Sequence, residues 1–273
     1  MDIGIIGCGT IGGAVAEAVV SGRINATLKA VADVERSSRI EQLIESSGGE
    51  AKYYSRPQDL VDEPLDLVFE AANPQVVREH LLSWLAAGTD VMLMSIGGLA
   101  DRSLLEQAIK LAADKGRRII LPSGAISGIS TLRAAALAGE LDTVTMRSTK
   151  APAGLRGAPY LAEHGITLEG LRQRQLVFSG NVLEAVAAFP KNVNITAAVA
   201  LAGLGVEKTR VEIYADPEAQ RTRHTLQAGG RFGTIRLELE SLPNPSNPRS
   251  SYLATLGAVS ALSQYTQPLL MGL

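Results

Sequence analysis

Near its start the chain reads Ile3-Gly4-Ile5-Ile6 and then Gly7-Cys8-Gly9-Thr10-Ile11-Gly12, an apolar run followed by glycines spaced G-x-G-x-x-G. Alanine and valine dominate the residues from there to about Ser21, a pattern that predicts a buried helix. A strand, a glycine turn and a helix in this order are the fingerprint of a dinucleotide-binding unit. The segment therefore predicts a Rossmann-type domain at the start of the chain.

The glycine turn also predicts which residues contact the cofactor. The first glycine allows a tight turn, the second lets a pyrophosphate approach the backbone, and the third lets the helix pack closely on the strand. The start of the helix adds N–H groups and a partial positive charge, which favour phosphate. The predicted contacts in this segment are Gly7, Gly9, Thr10, Ile11 and Gly12.

A carboxylate follows the second predicted strand, residues 28–32. Asp33 lies about 20 residues after the last glycine of the turn, where such domains recognise the adenine ribose. Its charge accepts hydrogen bonds from the ribose hydroxyls and repels a 2′-phosphate, which favours NAD as the cofactor. Arg36 and Arg39 follow closely and keep NADP open as an alternative.

Apolar runs and helical patterns continue to alternate as far as Pro122. Runs that are apolar throughout are typical of parallel strands buried on both faces. We therefore predict an α/β fold with a Rossmann-type doubly wound parallel sheet and helices on both of its faces. The later strands predicted in this part are 65–70, 90–94 and 118–121, and the later helices are 35–47, 74–87 and 103–115.

After Pro122 the pattern changes to that of a second, α+β domain. Three segments alternate between apolar and polar residues, which is typical of half-buried antiparallel strands. These segments are 210–215, 221–227 and 233–241; a further strand is predicted at 143–148, and helices at 129–138, 181–188 and 196–204. A break at 243–248 precedes a last helix, 250–264, which we expect to return to the first domain. The predicted domains are 1–122 plus 246–273 for the dinucleotide and 123–245 for the substrate.

Composition and charge exclude several classes of protein. The 273 residues are 46% hydrophobic and 20% charged, which is typical of globular proteins. At roughly 150 residues per domain, this length suits two domains. A net charge of −2 gives no broad positive field, so we expect neither a nucleic acid nor a membrane surface as a partner.

Cys8 is the single cysteine, which excludes an intramolecular disulfide and suits a reducing cytosol. Because Cys8 lies inside the predicted phosphate-binding turn, we expect it to be a small residue that fills space and not a nucleophile. The N-terminus lacks the basic region of a secretory signal, and no apolar stretch reaches the roughly 20 residues that cross a bilayer. We therefore predict a cytoplasmic protein. With one cysteine and three dispersed histidines, we predict no metal site.

Further segments resemble the L-aspartate dehydrogenase family, and this resemblance extends from Met1 to the final helix. A generic Rossmann enzyme would share only the opening segment. The segments are Glu70-Ala71-Ala72, Ser95-Ile96-Gly97-Gly98-Leu99-Ala100-Asp101, Pro122-Ser123-Gly124-Ala125-Ile126-Ser127-Gly128, Thr149-Lys150-Ala151-Pro152, Phe189-Pro190-Lys191-Asn192-Val193-Asn194 and Asn244-Pro245-Ser246-Asn247-Pro248-Arg249-Ser250-Ser251.

The resemblance implies oxidative deamination of L-aspartate to iminoaspartate, with hydride transfer to NAD(P), by a homodimer whose second domain also dimerises. Iminoaspartate either hydrolyses to oxaloacetate and ammonia or passes to a quinolinate-forming enzyme in NAD biosynthesis. By position, the resemblance implies that Ala125 and either Asn192 or Asn194 contact the cofactor. It also implies that His224 is the catalytic histidine.

A histidine has a suitable pKa for the proton transfer that this chemistry needs. His80 lies in a charged helix and is expected at the surface, and His164 lies in a polar loop. His224 lies within a predicted strand. From the residues alone, a hydrogen-bonded histidine of the sheet is the favoured interpretation of His224. With the resemblance, a role as acid or base is preferred.

L-Aspartate carries two carboxylates, which need cationic or N–H donors. The predicted substrate contacts are Lys150, Lys191, Ser123 and Gly124. A solvated surface charge is the alternative for each lysine. Ala71 and Ser95 each follow a predicted strand, and we expect both at the cofactor, with Ser95 near the nicotinamide ribose.

Two other classes of function stay open. One is another two-domain Rossmann reductase, related to homoserine dehydrogenase or dihydrodipicolinate reductase. The adjacent histidines typical of the latter are absent from this sequence. The other is a non-catalytic regulator that senses the cofactor. Such a regulator would lack a proton-transfer residue, and His224 argues against it.

Overall fold

The computed structural model describes residues 1–190 and 194–271, with the backbone alone at 248–250. The chain forms two compact units. The first unit is Met1–Gly124 together with Ala254–Leu273, and the second is Ala125–Leu253. Each unit is built on a sheet of its own.

Strands and helices alternate along the first 124 residues. The strands are β1 (Asp2–Ile6), β2 (Thr27–Ala32), β3 (Lys52–Tyr54), β4 (Leu67–Glu70), β5 (Asp90–Leu93) and β6 (Ile119–Ile120). The helices are α1 (Thr10–Val20), α2 (Ser38–Ser46), α3 (Pro74–Ala86) and α4 (Arg102–Lys115). The sheet order is β3-β2-β1-β4-β5-β6 and all its pairs are parallel. This order is that of a Rossmann fold, so the predicted fold class is confirmed.

The second unit mixes helices with a five-stranded sheet and a short hairpin. Its strands are β7 (Leu141–Lys150), β8 (Gln175–Asn181), β9 (Arg210–Ala215), β10 (Thr222–Gly230) and β11 (Gly233–Ser241), with the hairpin β12 (Pro243–Asn244) and β13 (Asn247–Ser251). The helices are α5 (Ile129–Leu137), α6 (Pro159–Glu163), α7 (Val182–Ala188) and α8 (Asn194–Ala202), and the chain continues into α9 (Tyr252–Tyr265).

Aliphatic side chains form the core of the first unit. Ile3 and Ile5 of β1 and Val15 of α1 are completely buried. Ala258 and Leu262 of α9 belong to the same cluster, so the last helix completes this core. Burying one side chain of this size contributes about 1.5–3 kcal/mol, which makes such packing the main stabilising term of the unit.

One face of the second sheet packs on helices. Met146 of β7 and Leu226 of β10 are completely buried in one cluster with Leu132 of α5. Side chains two residues apart on a strand lie on the same face of the sheet. Ser148 and His224 therefore continue this buried face, next to the apolar residues.

The structure corrects three details of the sequence prediction. The strands β3 and β8 lack a long apolar run, and the sequence pattern predicts neither. The strand β9 is antiparallel to β8 but parallel to β7. The expectation of antiparallel pairing is therefore wrong for β9 and β7. Alternation reports that one face is buried and says nothing of strand direction. The last helix begins at Tyr252, because residues 247–251 form β13.

Candidate functional site

The glycine turn of the first unit leaves one side of its backbone open. Gly7 has a φ of +83°, and a Cβ on it would lie 2.7 Å from the backbone nitrogen of Ala72. A Cβ on Gly12 would lie 1.9 Å from the carbonyl oxygen of Gly7, so packing within the protein requires both glycines. Among the described residues, no atom beyond its chain neighbours lies within 4 Å of the position of a Cβ on Gly9. Such open space at the middle glycine fits a pyrophosphate.

The helix α1 begins directly at this turn, and its N-cap residue, Gly9, has no side chain to cap the helix. N–H groups in the first turn of a helix have no partner within the helix and carry a partial positive charge. Thr10 and Ile11 are half-buried in this turn and Gly12 is buried. An open backbone beside an uncapped helix start fits the phosphates of a dinucleotide.

The carboxylate of Asp33 lies beside the glycine turn. Its Oδ2 atom accepts a hydrogen bond of 2.6 Å from the backbone nitrogen of Cys8. The hydroxyl of Tyr53 donates to the carbonyl oxygen of Asp33 at 2.8 Å. The side chain of Asp33 stays partly exposed, so the structure brings the predicted ribose ligand and the predicted phosphate turn together.

The two arginines after Asp33 are engaged with neighbouring acids. Arg36 lies 2.5 Å from a carboxylate oxygen of Glu41. Arg39 donates to the carboxylate of Glu17 at 2.8 and 3.0 Å and to the carbonyl oxygen of Gly9 at 3.0 Å. Their positive charges are therefore largely balanced by acids of the same unit.

Cys8 is buried within the turn. Burial, and then the charge of Asp33, raise the pKa of its thiol to about 12. The thiolate is the nucleophilic form of cysteine, and it is negligible at neutral pH with such a pKa. The expectation that Cys8 fills space agrees with this environment.

The ends of β4 and β5 meet at a buried carboxyl group. Glu70 accepts hydrogen bonds from the Ser95 hydroxyl at 2.8 Å, the Ser95 nitrogen at 3.1 Å and the Ala72 nitrogen at 2.8 Å. Burial raises the pKa of Glu70 to about 7. Ala71 is partly buried, and its nitrogen donates to Ile6 of β1 at 2.8 Å. Ser95 itself is buried, with its hydroxyl directed to Glu70.

In the second unit, His224 and Ser148 form a buried polar pair. They are opposite each other on the antiparallel strands β10 and β7. The Ser148 hydroxyl oxygen lies 2.9 Å from Nδ1 of His224. Burial, and then the positive charge of Lys150, lower the pKa of His224 to about 3. His224 is therefore a neutral imidazole at pH 7 and keeps one acceptor nitrogen.

Lys150 ends β7 on the same face as Ser148, because the two residues are two positions apart on one strand. Its side chain is partly buried. Burial lowers the pKa of Lys150 to about 8, so the ammonium form still predominates at neutral pH. A cation and a neutral imidazole thus share one end of this sheet face.

The other two histidines have different surroundings. His80, expected at the surface, is partly buried, with its ring centroid 5.8 Å from that of Trp84. Its side chain keeps 17% exposure, so it lies at the surface only in part. His164 is exposed and stacks on Tyr160 with 3.9 Å between the ring centroids. Burial with a polar partner in the second sheet distinguishes His224 from both.

The described part of the chain has neither a metal-binding cluster nor a membrane-spanning helix. No group of three or more histidine, cysteine, aspartate or glutamate residues there could hold a metal ion. No helix in the same part is long and apolar enough to span a membrane.

Each part of the chain matches a known family. Residues 131–265 match the family described as aspartate dehydrogenase, C-terminal. Residues 7–122 match the family described as homoserine dehydrogenase, NAD binding domain. The homoserine dehydrogenase match is thus confined to the dinucleotide-binding part.

Several named proteins are similar in sequence to this chain over its whole length. The L-aspartate dehydrogenase of Methanosarcina acetivorans is 42% identical over 272 residues, which are 100% of this chain and 99% of that protein. The chain belongs to the L-aspartate dehydrogenase family. The L-aspartate dehydrogenase of Methanocaldococcus jannaschii is 38% identical, again over 100% of this chain and 99% of the relative.

Solved structures agree with this family at the level of the fold. The aspartate dehydrogenase of Thermotoga maritima matches with a TM-score of 0.77 and 24% identity, over 100% of this chain and 99% of that one. A scyllo-inositol dehydrogenase of Lactobacillus casei, solved with NAD(H) and scyllo-inositol, matches with a TM-score of 0.57 and 18% identity, over 96% and 87%. As a member of the L-aspartate dehydrogenase family, the protein is a dehydrogenase with a nicotinamide-dinucleotide domain.

The other predicted site residues differ in their exposure. Ser123 is exposed, Gly124 is half-buried with a φ of +62°, and Ala125 is buried. Asn194 is exposed at the first residue of α8. Their roles stay predictions. Two further predicted residues, Lys191 and Asn192, lie outside the described residues.

In this member of the L-aspartate dehydrogenase family, the structure suggests roles for two residues, Ser148 and Glu70, to which our sequence analysis assigned none. Ser148 gives no signal in the sequence, because a serine in an alternating strand is common and its partner is 76 positions away. Glu70 does give a signal, since it ends an otherwise apolar strand. A charged residue is almost never completely buried without hydrogen-bond partners, and this rule could have identified it.

Proposed function

We propose that this protein oxidises L-aspartate to iminoaspartate with NAD as the cofactor. The Cα–H bond breaks with loss of a hydride, the amino nitrogen loses a proton, and a C=N bond forms. Water then converts the imine to oxaloacetate and ammonia. The observation that carries the proposal is the similarity to named L-aspartate dehydrogenases over 100% of the chain.

The first unit would hold the dinucleotide. The open backbone at Gly9 and the uncapped first turn of α1, with Thr10 and Ile11, would bind the pyrophosphate. Gly7 and Gly12 allow the close packing that presents this turn. A bound nicotinamide cofactor supplies the hydride acceptor, and the protein orients the reactants and handles protons.

Asp33 supports NAD over NADP. Its partly exposed carboxylate lies beside the turn, where it would accept hydrogen bonds from the adenine ribose. A 2′-phosphate at that place would face a negative charge. Arg36 and Arg39 form ion pairs with acids of the same unit, and this pairing makes them weaker ligands for a 2′-phosphate. We therefore propose NAD as the preferred cofactor, with weaker use of NADP.

His224 is proposed as the residue that accepts the substrate proton. Because burial lowers its pKa to about 3, the imidazole is neutral at pH 7 and one ring nitrogen carries a lone pair; the two carboxylates of bound L-aspartate would raise this pKa and favour uptake of a proton. If Nδ1–H donates to the hydroxyl oxygen of Ser148, the lone pair lies on Nε2. Ser148 would then fix both the tautomer and the orientation of the base.

Lys150 is proposed to bind a substrate carboxylate. Its ammonium group predominates at neutral pH, and a charge-assisted hydrogen bond from it suits a carboxylate. Lys191 and the backbone N–H groups of Ser123 and Gly124 are proposed as further donors. Ala71, Ser95, Ala125 and one of Asn192 and Asn194 remain our proposed cofactor contacts.

The proposed product suggests a biological setting. Iminoaspartate is an imine and hydrolyses in water, so direct transfer to a quinolinate-forming enzyme would protect it. We propose that the protein works in the cytoplasm as a homodimer and can supply NAD biosynthesis in this way. Light scattering on the purified protein would measure the mass of the assembly, and a monomer would reject the dimer.

The proposal is tested with the purified protein, NAD and L-aspartate, by following the absorbance of the reduced nicotinamide. Parallel reactions contain L-homoserine or D-aspartate in place of L-aspartate. We expect turnover of L-aspartate alone. Turnover of homoserine without L-aspartate would assign the protein to another reductase class. Binding of NADH without turnover of any substrate would favour a regulator and reject the enzyme.

A further inference from the structure

Glu70 is a completely buried carboxyl group at the end of β4 in the dinucleotide unit. Such burial is unfavourable for a carboxylate unless hydrogen bonds compensate for lost hydration. Glu70 receives hydrogen bonds from two residues. Ser95 donates from its hydroxyl and its nitrogen, and Ala72 donates from its nitrogen.

These donors belong to the two loops that follow β4 and β5. Ala72 lies between β4 and α3, and Ser95 follows β5. One carboxyl group therefore fixes the backbone of both loops at once. Asn73, the residue after Ala72, caps α3, because its side chain accepts from the nitrogens of Gln75 and Val76.

The same loops touch the glycine turn. The nitrogen of Ala71 donates to Ile6 at 2.8 Å, and a Cβ on Gly7 would lie 2.7 Å from the nitrogen of Ala72. The ends of β1, β4 and β5 are thus joined through Glu70 and its neighbours. In a parallel sheet, ligands bind outside these carboxyl ends of the strands.

The position of Glu70 in the sheet indicates which half of the cofactor it affects. A Rossmann sheet consists of two mononucleotide-binding halves. Asp33 and β2 lie in the half β1-β2-β3, which receives the adenosine part. Glu70 and Ser95 lie in the other half, β4-β5-β6, which receives the nicotinamide part.

We propose that Glu70 is a positioning residue that fixes the loops after β4 and β5 for the nicotinamide half of the dinucleotide. This inference rests on the cofactor binding in the proposed function. It does not depend on the identity of the substrate. Glu70 acts through Ser95 and Ala72, which it holds in place.

The Glu70→Gln variant tests the proposal with little change in shape. Oε1 of Glu70 accepts from Ala72 and the Ser95 hydroxyl, and Oε2 accepts from the Ser95 nitrogen. A glutamine has one acceptor oxygen and one NH₂ donor. In either orientation, its NH₂ group would face a backbone N–H donor of Ala72 or Ser95. At least one buried hydrogen bond is lost, and the loops shift.

The measurement is calorimetric binding of NADH and of ADP, which lacks the nicotinamide and its ribose, to the wild type and the variant. We expect the affinity of Glu70→Gln for NADH to fall about tenfold, the effect of one lost buried hydrogen bond. Its affinity for ADP should stay at the wild-type value. Glu212→Gln is the matched control, since Glu212 is a buried glutamate of the second unit, paired with Arg147 at 2.8 Å.

The ratio of the two affinities decides the result. Equal losses of NADH and ADP binding would mean general damage to the unit and would overturn the proposal. An unchanged ratio in a folded variant would overturn it as well. If Glu70→Gln does not fold, Glu70→Asp, which keeps the charge but shortens the side chain so that it cannot reach all three donor atoms, must weaken NADH binding and spare ADP.

The wild-type protein separates this inference from the proposed function. A wild type that binds NADH without oxidising L-aspartate rejects the proposed reaction, while the affinity ratio still tests Glu70. A wild type that binds neither ligand overturns both proposals.

Discussion

The glycine turn of the first unit and the His224–Ser148 pair of the second differ in how the chain builds them. Gly7, Gly9 and Gly12 lie within six consecutive residues; Gly7 has a positive φ, a Cβ on Gly12 would meet the backbone of Gly7, and Gly9 faces open space. His224 and Ser148 are 76 positions apart and meet only because β10 pairs with β7 in one register. A local site depends on the residues of one segment, whereas a site between strands depends on the alignment of the whole sheet.

The largest effect is expected for the pair between strands. His224→Ala should lower kcat by about a hundredfold to ten-thousandfold, the usual contribution of a general base. The dissociation constant of NADH should not change, because the variant leaves the glycine turn intact. Steady-state kinetics with L-aspartate and calorimetric binding of NADH measure the two quantities.

His164→Ala is the matched control for this variant. His164 is exposed and stacks on Tyr160, and its removal should leave kcat unchanged. Wild-type turnover by His224→Ala would reject the catalytic assignment and keep the family.

The second-largest effect is expected for the variant Lys150→Met. Loss of a charge-assisted hydrogen bond to a substrate carboxylate should raise the KM for L-aspartate about 10- to 100-fold. The pKa of Lys150 is lowered to about 8, so the wild-type lysine loses its proton as the pH rises through 8. The KM of the wild type should therefore increase above pH 8.

Lys150→Arg is the control, since arginine keeps its charge at every pH of the assay. Its KM for L-aspartate should be independent of pH between 7 and 9. A flat wild-type profile together with an unchanged KM in Lys150→Met would assign Lys150 to structure alone.

A smaller effect is expected at the local site. Asp33→Ala removes the carboxylate beside the turn, so repulsion of a 2′-phosphate disappears. The ratio of NAD affinity to NADP affinity should fall about tenfold. Competitive titration with both cofactors measures it. Glu35→Ala, at an exposed acid two residues later, should leave the ratio as it is. An equal ratio of NAD to NADP affinity in Asp33→Ala and Glu35→Ala would show that Asp33 does not contact the ribose.

Cys8→Ala should have the smallest effect. With the pKa of its thiol raised to about 12, Cys8 takes no part in covalent chemistry. Activity should stay within about twofold of the wild type, and a thiol reagent should react with Cys8 only after unfolding. Rapid labelling of the native protein at pH 8 would contradict this assignment.

The local features could be predicted from the sequence because their signals are contiguous. The glycine spacing, the buried helix after it and Asp33 each follow from the residues of one βαβ unit. Strand β8 could not be predicted in the same way, since polar residues begin and end its segment Gln175–Asn181. It forms because β9 offers a pairing edge.

The second site shows the limit of such predictions. The family resemblance points to His224 and the need for a cationic donor points to Lys150, but nothing in the sequence connects either of them to Ser148. Alternation along β7 and β10 predicts which residues are buried, yet it does not predict which residues are opposite one another.

The sequence by itself therefore determined the Rossmann unit, the glycine turn and the acid at the end of β2, because short-range sterics and hydrogen bonding require those residues at those spacings. Tertiary structure alone decided the protonation of the buried groups. Burial raises the pKa of Glu70 to about 7 and lowers the pKa of His224 to about 3. The shifts have opposite signs because a low dielectric disfavours the charged form of an acid and of a base alike. Burial of this kind arises only when distant strands pack together.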